Sequence, residues 1–475
     1  MKKFTITGVF AREILDCRWN PTVQVDIWVN NETLGRADVP AGRSTGSNEA
    51  RELRDKEKRY AGQGVRKAVK NVNEILGPAI VGMDVTDQRK VDEKLRSLDG
   101  TKNKSKLGAN AIVGVSVAVA RAASNAVGLP LYRYVNCNAH VLPVPLLNLL
   151  NGGKLTSNDL DFQEFCIFPI GAETFSEAMF IGNAVNNELR EIVIKKYGKI
   201  AANVGDEGGF ATPIKKVREA MECLVQAVER SGHARKIGYG FDCAATHWYN
   251  PKTKKYTLEG VEYTTDGLFD YYKALCRDYP IVSIEDPFAE DDTKGFIRAT
   301  KELGIQIVGD DYYCTNPARI RERAPKGAAN ALLWKFNQIG TLSEALDAAE
   351  LAYRQGFGIM VSERSGETED PIIADFVVGI NAGQIKTGAG VRSERTAKYN
   401  RLLLIEEELG SQARYAGTDF RCALYGKTKR GKEAHHERSD NIPRSMTGPR
   451  HHHETSGTKA AALSVISHGP QEVTP

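Results

Sequence analysis

Residues 329–363 read ANALLWKFNQIGTLSEALDAAELAYRQGFGIMVSE, and this one stretch holds the unit from which the fold can be read. Ala329–Lys335 is apolar on both faces, as a strand inside a parallel sheet is. TLSEALDAAELAYRQG then spaces its apolar residues as one face of a helix, and GFGIMVSE is a second apolar run. The same alternation recurs on both sides. DFQEFCIFPI (161–170), KIGYGFD (236–242), PIVSIED (280–286), IQIVGDD (305–311) and GQIKT (383–387) are short apolar runs, and TTDGLFDYYKALCRDY (264–279) is another amphipathic stretch. Strand, helix, strand repeated this often predicts an α/β protein, with a β/α barrel favoured. A doubly wound open sheet is the alternative, but no glycine-rich dinucleotide fingerprint follows a strand.

Three regions follow from working outward. Residues 1–140 open with strict alternation, PTVQVDIWVN (21–30) and LGRADVP (34–40), which reads as a strand meander. A Gly- and Ser-rich loop, PAGRSTGSNEA (40–50), comes next and is capable of moving. Helical patterns then dominate in VRKAVKNVNEIL, QRKVDEKLRSL and ANAIVGVSVAVARAASNAV, so this region is expected to be a small α+β capping domain. Residues 141–420 form the expected barrel. Residues 421–475 read as a disordered tail with nine Lys/Arg, five Asp/Glu and six of the nine histidines. The trio His451–His453 has the composition of a weak metal binder, but a solvated polar tract is the simpler reading.

Composition excludes several classes of function. Of 475 residues, 41% are apolar and 26% charged, enough to bury a core and too balanced for a disordered chain or a coiled coil. The 64 basic and 60 acidic side chains leave a net +4, all of it in the tail. A neutral body lacks the basic stripe of a nucleic-acid binder, so none is expected as a partner. Eight cysteines with no CxxC spacing read as free thiols in a reducing compartment. Arg12 and Glu13 interrupt any signal-peptide core, and the longest helical apolar stretch, Ala111–Ala120, is half a membrane span. A soluble cytoplasmic protein without a membrane partner is the expectation.

The chemistry is written at the strand ends. Asp242, Glu285, Asp310, Lys335, Glu363 and Lys386 close six successive runs at spacings of 43, 25, 25, 28 and 23 residues, with room for a hairpin-like insertion in the first step. In a barrel these six point into one mouth, where barrel active sites are built. An Asp after a strand is commonly a helix cap. Lys is not, and six ionisable residues in phase would be costly to bury unless paired or bound to metal. Asp242, Glu285 and Asp310 supply only hard oxygen ligands, with no His or Cys nearby, a set suited to Mg²⁺. A lysine beside such a cation has its ammonium form disfavoured and can serve as a general base. The implied reaction is proton abstraction next to a metal-bound carboxylate.

These residues lie within stretches that resemble the enolase family, from Phe10 to about Phe420. The likeness is carried by NPTVQVD, LDGTKNKSKLGANAIVGVSVAVARAA, NVGDEGGFA, YPIVSIEDPFAEDD, QIVGDD, NQIGTLSEAL, RSGETED, GQIKTGA and IEEELG. The resemblance implies an α+β lid domain before an irregular eight-stranded β/α barrel, usually dimeric, which interconverts 2-phosphoglycerate and phosphoenolpyruvate in glycolysis with Mg²⁺. By position, Lys335 matches the base. Glu207 matches the general acid at the 3-hydroxyl, with Glu164 in support. Asp242, Glu285 and Asp310 match the ligands of the tighter Mg²⁺. Lys386 and Gln163 match groups around the substrate carboxylate, and Arg364 and Ser365 match phosphate contacts.

The chain departs from the family pattern at several positions, among them Trp19 for Gly after Arg18 and Thr246-His247-Trp248 for the usual S-E-F, and three further sites bear on the chemistry. Ala41 stands for the first Ser of S-G-A-S-T-G, leaving its backbone carbonyl to serve a second Mg²⁺. Leu155 replaces a lid histidine and Lys154 brings a cation beside it. Glu363 replaces the histidine of S-H-R-S, and a third carboxylate near Glu207 and Glu164 is expected to hold a proton at raised pKa. That either preserves an acid at the leaving group or suits a differently charged substrate. Three functions therefore stay open: an enolase, an enolase-type lyase acting on a related phospho- or phosphono-carboxylate, and a non-catalytic scaffold. Against the last, Lys335, Lys386 and the carboxylate ligands are all retained.

Overall fold

The computed structural model describes residues 4–42 and 46–421. Arg43, Ser44 and Thr45 of the Gly-rich loop, and the tail expected from residue 421 onward apart from Arg421 itself, lie outside the described residues.

Strands β1 (Ile6–Leu15), β2 (Pro21–Val29) and β3 (Thr33–Asp38) form an antiparallel meander in that order. Val23, Val25, Ile27 and Val29 of β2 are buried, the almost wholly buried α2 (Ala109–Val127) covers the sheet, and helix α1 (Gln88–Asp99) packs against α2. α2 is rich in Ala and Val, so it can approach closely. A Cβ on Gly35 would sit 2.2 Å from the Ala122 nitrogen, which explains the glycine in β3. Asp87 caps α1 by accepting from the Lys90 N–H, and Gly100 ends it in a left-handed turn.

Eight strands then close into a barrel. They are β4 (Val144–Asn151), β5 (Glu164–Phe168), β6 (Gly238–Asp242), β7 (Ile281–Glu285), β8 (Gln306–Gly309), β9 (Ala331–Trp334), β10 (Gly358–Ser362) and β11 (Gly383–Lys386). The spatial order is β7-β8-β9-β10-β11-β4-β5-β6, which removes the open-sheet alternative. Every neighbouring pair is parallel except those of β5, which runs antiparallel to both β4 and β6. The cause is local. β4 and β5 are joined by a short loop with no crossover helix, and a parallel pairing needs one. Two helices, α3 (Phe175–Tyr197) and α4 (Val217–Arg230), then precede β6.

From β6 onward the strand–helix alternation is regular. α5 (Thr265–Asp278), α6 (Thr293–Glu302), α7 (Pro317–Arg323), α8 (Leu342–Arg354), α9 (Ile372–Gly379) and α10 (Ser393–Leu409) follow. Side-chain caps fix several of their starts: Thr264 accepts from Gly267 N–H, Asp292 from Gly295 N–H and Thr341 from Glu344 N–H. The long first spacing between strand ends holds a small three-stranded antiparallel sheet of Tyr249–Asn250, Lys255–Leu258 and Val261–Tyr263. One apolar layer, including Val144, Leu146, Cys166, Phe168, Val308, Leu333 and Met360, packs as its own cluster. The other barrel-strand residues pack with the helices in the larger core.

Candidate active site

The parallel strands deliver their carboxyl ends to one mouth. Because β5 is reversed, its amino end arrives there too, so Glu164 pairs in register with Asp242 on one side and Asn151 on the other. Lys154, Gln163, Glu164, Glu207, Asp242, Asp310, Lys335, Glu363, Arg364, Ser365 and Lys386 line a single cavity. Glu285 is not among its lining residues, and reaches the group through Lys386.

Lys386 is the hub. Its Nζ lies 2.9 Å from Glu164 Oε1, 3.0 Å from Asp242 Oδ2, and 2.9 and 2.8 Å from the two Glu285 oxygens. Burial pulls its amine down, but Asp242, Glu164 and Glu285 outweigh that and hold it well above the usual lysine range. Three buried carboxylates converging on one ammonium leave an excess of negative charge. Burial, with Asp242 adding to it, pushes the Glu285 carboxyl up to about 8. Burial and then Glu207 push Glu164 well above the usual carboxylate range.

Lys335 donates from Nζ to Asp310 Oδ2 at 2.7 Å, while Gln338 Nε2 donates to Asp310 Oδ1 at 2.7 Å. Burial lowers the Lys335 amine, yet Asp310 reverses this and the net direction is upward. The protein's own groups therefore favour the ammonium form, opposite to the lowering expected beside a divalent cation. Only additional positive charge near Asp310 would turn it round. Burial raises Asp310, and Lys335 more than offsets it, so its carboxyl lies below its ordinary range.

Around Asp242, Gln163 Nε2 donates to Oδ2 at 2.9 Å and the Ala244 N–H to Oδ1 at 2.9 Å. Asn148 Nδ2 donates to Glu207 Oε2 at 3.3 Å. Arg364 pairs with Glu49 at 2.9 Å and donates to Asn337 Oδ1 at 3.2 Å. Arg18 Nη1 reaches Ser365 Oγ at 3.5 Å. The Ala41 carbonyl accepts from Arg18 Nη2 at 3.1 Å and from the Gly366 N–H at 2.9 Å, so both its lone pairs are engaged within the protein. Leu155 is buried, and Lys154 lowers the pKa of His247 after burial has done so.

The sequence reading passed over several residues. Asp286 accepts the N–H groups of Asp310 and Asp311, each at 2.9 Å, and Asp286, Asp310 and Asp311 bring carboxylate oxygens within 4.8 Å of one another. Their signal was the doubled acid at two strand ends, Glu285-Asp286 and Asp310-Asp311. Glu49 was hidden because its partner Arg364 lies far along the chain. Arg395 is fully buried and pairs with Glu363. Its signal lay in the α10 pattern, where it shares a face with the buried Tyr399, Leu402 and Ile405.

Comparison with known proteins is consistent across the chain. Residues 6–135 match the family model "Enolase, N-terminal domain", and residues 139–424 match "Enolase, C-terminal TIM barrel domain". The enolase of Thermococcus gammatolerans is 56% identical over 423 residues, covering 88% of this chain and 98% of that protein. The enolase of Pyrococcus furiosus is 56% identical over 427 residues, covering 89% and 99%. That of Methanocaldococcus jannaschii is 54% identical over 422 residues, covering 89% and 99%.

Proposed function

The chain belongs to the enolase family, and on that premise we propose that it is a lyase that reversibly dehydrates 2-phosphoglycerate to phosphoenolpyruvate, with Mg²⁺ as its metal. The observation that carries the reading is the joint retention, around one mouth, of Lys335 against Asp310 and of three carboxylates against Lys386.

The donor set fits Mg²⁺. Asp242, Glu285 and Asp310 offer oxygen only, and the surplus negative charge around Lys386 favours a small divalent cation. Those three residues would hold it, and Asp286 with Asp311 enriches the same edge in oxygen. When bound, the ion supplies positive charge against the substrate carboxylate.

The chain's own groups do the rest. Lys335 takes the proton from C2, and Lys386 and Gln163 hold the substrate carboxylate. Arg364 and Ser365 bind the phosphate, Arg364 exchanging part of its pairing with Glu49. Glu207, backed by Glu164, gives a proton to the departing 3-hydroxyl. One C–H and one C–O bond break, the C2–C3 double bond forms and water leaves.

Residues 1–140 are read as the capping domain, 141–420 as the catalytic barrel and 421–475 as an appendage with no part in the chemistry. We read the chain as a cytoplasmic homodimer, as the family resemblance implies, and the exposed Phe10, Leu15 and Trp19 offer apolar surface for a second copy. Among the described residues no helix is long and apolar enough to cross a membrane.

Leu155 and Glu363 also support a second reading, a related phospho- or phosphono-carboxylate as the preferred substrate. Purified protein with Mg²⁺ is expected to form phosphoenolpyruvate from 2-phosphoglycerate, and EDTA to abolish it. Turnover of a phosphonate analogue but not of 2-phosphoglycerate would select the second reading, and turnover of neither would leave a scaffold.

A further inference from the structure

Glu363 follows β10 directly and is buried in the wall of the catalytic cavity. Its backbone is fixed by a 2.9 Å hydrogen bond from its N–H to the Lys386 carbonyl. Its two carboxyl oxygens have different fates. Oε2 is saturated, paired with Arg395 Nη1 and accepting from Thr387 Oγ1 at 2.9 Å. Oε1 is buried, and among the described residues it has no hydrogen-bond partner. An orphaned oxygen whose partner atom on the same carboxyl is fully engaged is costly to the fold alone, so it points to a ligand that completes it; Arg395 Nε is likewise buried without a hydrogen-bond partner among the described residues.

The same clamp sets which side of the cavity Glu363 serves. Arg395 Nη2 donates to the Asp206 carbonyl at 3.0 Å and to the Ser365 carbonyl at 2.9 Å, and Nη1 donates to the Arg364 carbonyl at 2.9 Å. One buried guanidinium thus ties the Glu363–Ser365 segment to the turn that presents Glu207. A Cβ on Gly388 would lie 2.4 Å from the Glu207 backbone carbonyl oxygen and 3.2 Å from Glu363 Oε1, so the Glu207 backbone and the Glu363 carboxyl both approach one glycine.

We propose that Glu363 is a neutral, proton-bearing carboxyl that donates a hydrogen bond from Oε1 to the departing hydroxyl, beside Glu207. This rests on the function proposed above and adds to it a second donor at the leaving group. The charge environment agrees. The charged and titratable groups that act on it are Arg395 and Tyr399 from α10, Glu207 from its turn and Glu367 from the segment after β10, while Arg364 and Lys386 enter this cluster through their backbone carbonyls. Burial, less the effect of Arg395 and reinforced by Glu207 and Glu367, pushes the Glu363 carboxyl up to about 8. Arg395 orients the carboxyl and pulls against its proton, and burial with Glu207 and Glu367 outweighs that pull.

The test pairs a pH–rate profile with a direct titration, on the full chain with Mg²⁺ present. Between pH 7 and pH 9 the wild-type kcat for 2-phosphoglycerate is expected to fall about tenfold as Glu363 loses its proton. Glu363→Gln keeps a donor but cannot titrate, so it turns over more slowly without that fall. Glu363→Asp keeps a titrating limb. In carboxyl-labelled protein followed by ¹³C NMR, one glutamate titrating near pH 8 disappears in Glu363→Gln. A fall that persists unchanged in Glu363→Gln, or a Glu363 resonance titrating in the ordinary carboxylate range, overturns the proposal. A wild type inactive at every pH defeats the function reading instead, and the NMR titration then decides the protonation state alone.

Discussion

Replacing Lys386 by Met would remove the cation that Glu164, Asp242 and Glu285 share among the described residues, at nearly constant volume. All three carboxylates are buried, so water in the cavity that Glu164 and Asp242 line compensates them only in part. Breaking a buried ion pair by deleting one partner costs about 3–5 kcal/mol. Unfolding entropy of about 2.1 cal/mol/K per residue over the roughly 420 residues of the two family domains gives about 0.9 kcal/mol per degree. The midpoint should therefore drop by roughly 3–6 °C in EDTA at pH 7. The carboxylates released from Lys386 become freer to bind a divalent ion, which stabilises only the folded state. Saturating Mg²⁺ should then raise the midpoint of Lys386→Met by more than it raises that of the wild type. Scanning calorimetry of both proteins, with EDTA and then with Mg²⁺, measures each quantity. A variant that melts within a degree of the wild type, or an equal Mg²⁺ increment in both, would refute the charge argument.

Two more outcomes follow from the same cluster. Glu285 and Glu363 each titrate near 8 in the fold against about 4.5 unfolded, so the folded chain holds more protons across that window. Metal-free stability, measured by urea unfolding, should be greatest below the lower value and decline as pH rises toward 8, with a shallower decline once Mg²⁺ is added. Arg395→Met should destabilise by about 1–3 kcal/mol for each buried acceptor left bare, because the Asp206, Arg364 and Ser365 carbonyls lose their donor. Because Glu363 already carries its proton at pH 7, adding Glu363→Gln should change this little, and a double-mutant cycle in urea reads the small coupling directly.

How far the sequence reaches is clearest at the strand ends. The barrel and its ring of charged side chains were legible because a buried parallel strand must be apolar, so an ionisable residue closing each run stands out. The reversed β5 was not, since a run apolar on both faces carries no direction, and only the short loop before it hinted at antiparallel pairing. Partnerships were the larger gap. That Lys386 gathers three carboxylates, that Glu49 neutralises Arg364 and that Arg395 clamps Glu363 are facts of three-dimensional closure between distant segments. The direction of the Lys335 shift needed them too. An amine at a strand end can be predicted, but Asp310 at 2.7 Å decides which way it titrates.

The account stands or falls on Lys335 as the group that removes the C2 proton. The direct measurement is exchange of the C2 hydrogen of 2-phosphoglycerate with deuterated water, followed by proton NMR with Mg²⁺ present. The wild type should exchange it, and Lys335→Ala should lose exchange and phosphoenolpyruvate formation together while still melting in one cooperative transition. Exchange that survives in Lys335→Ala would contradict the assignment.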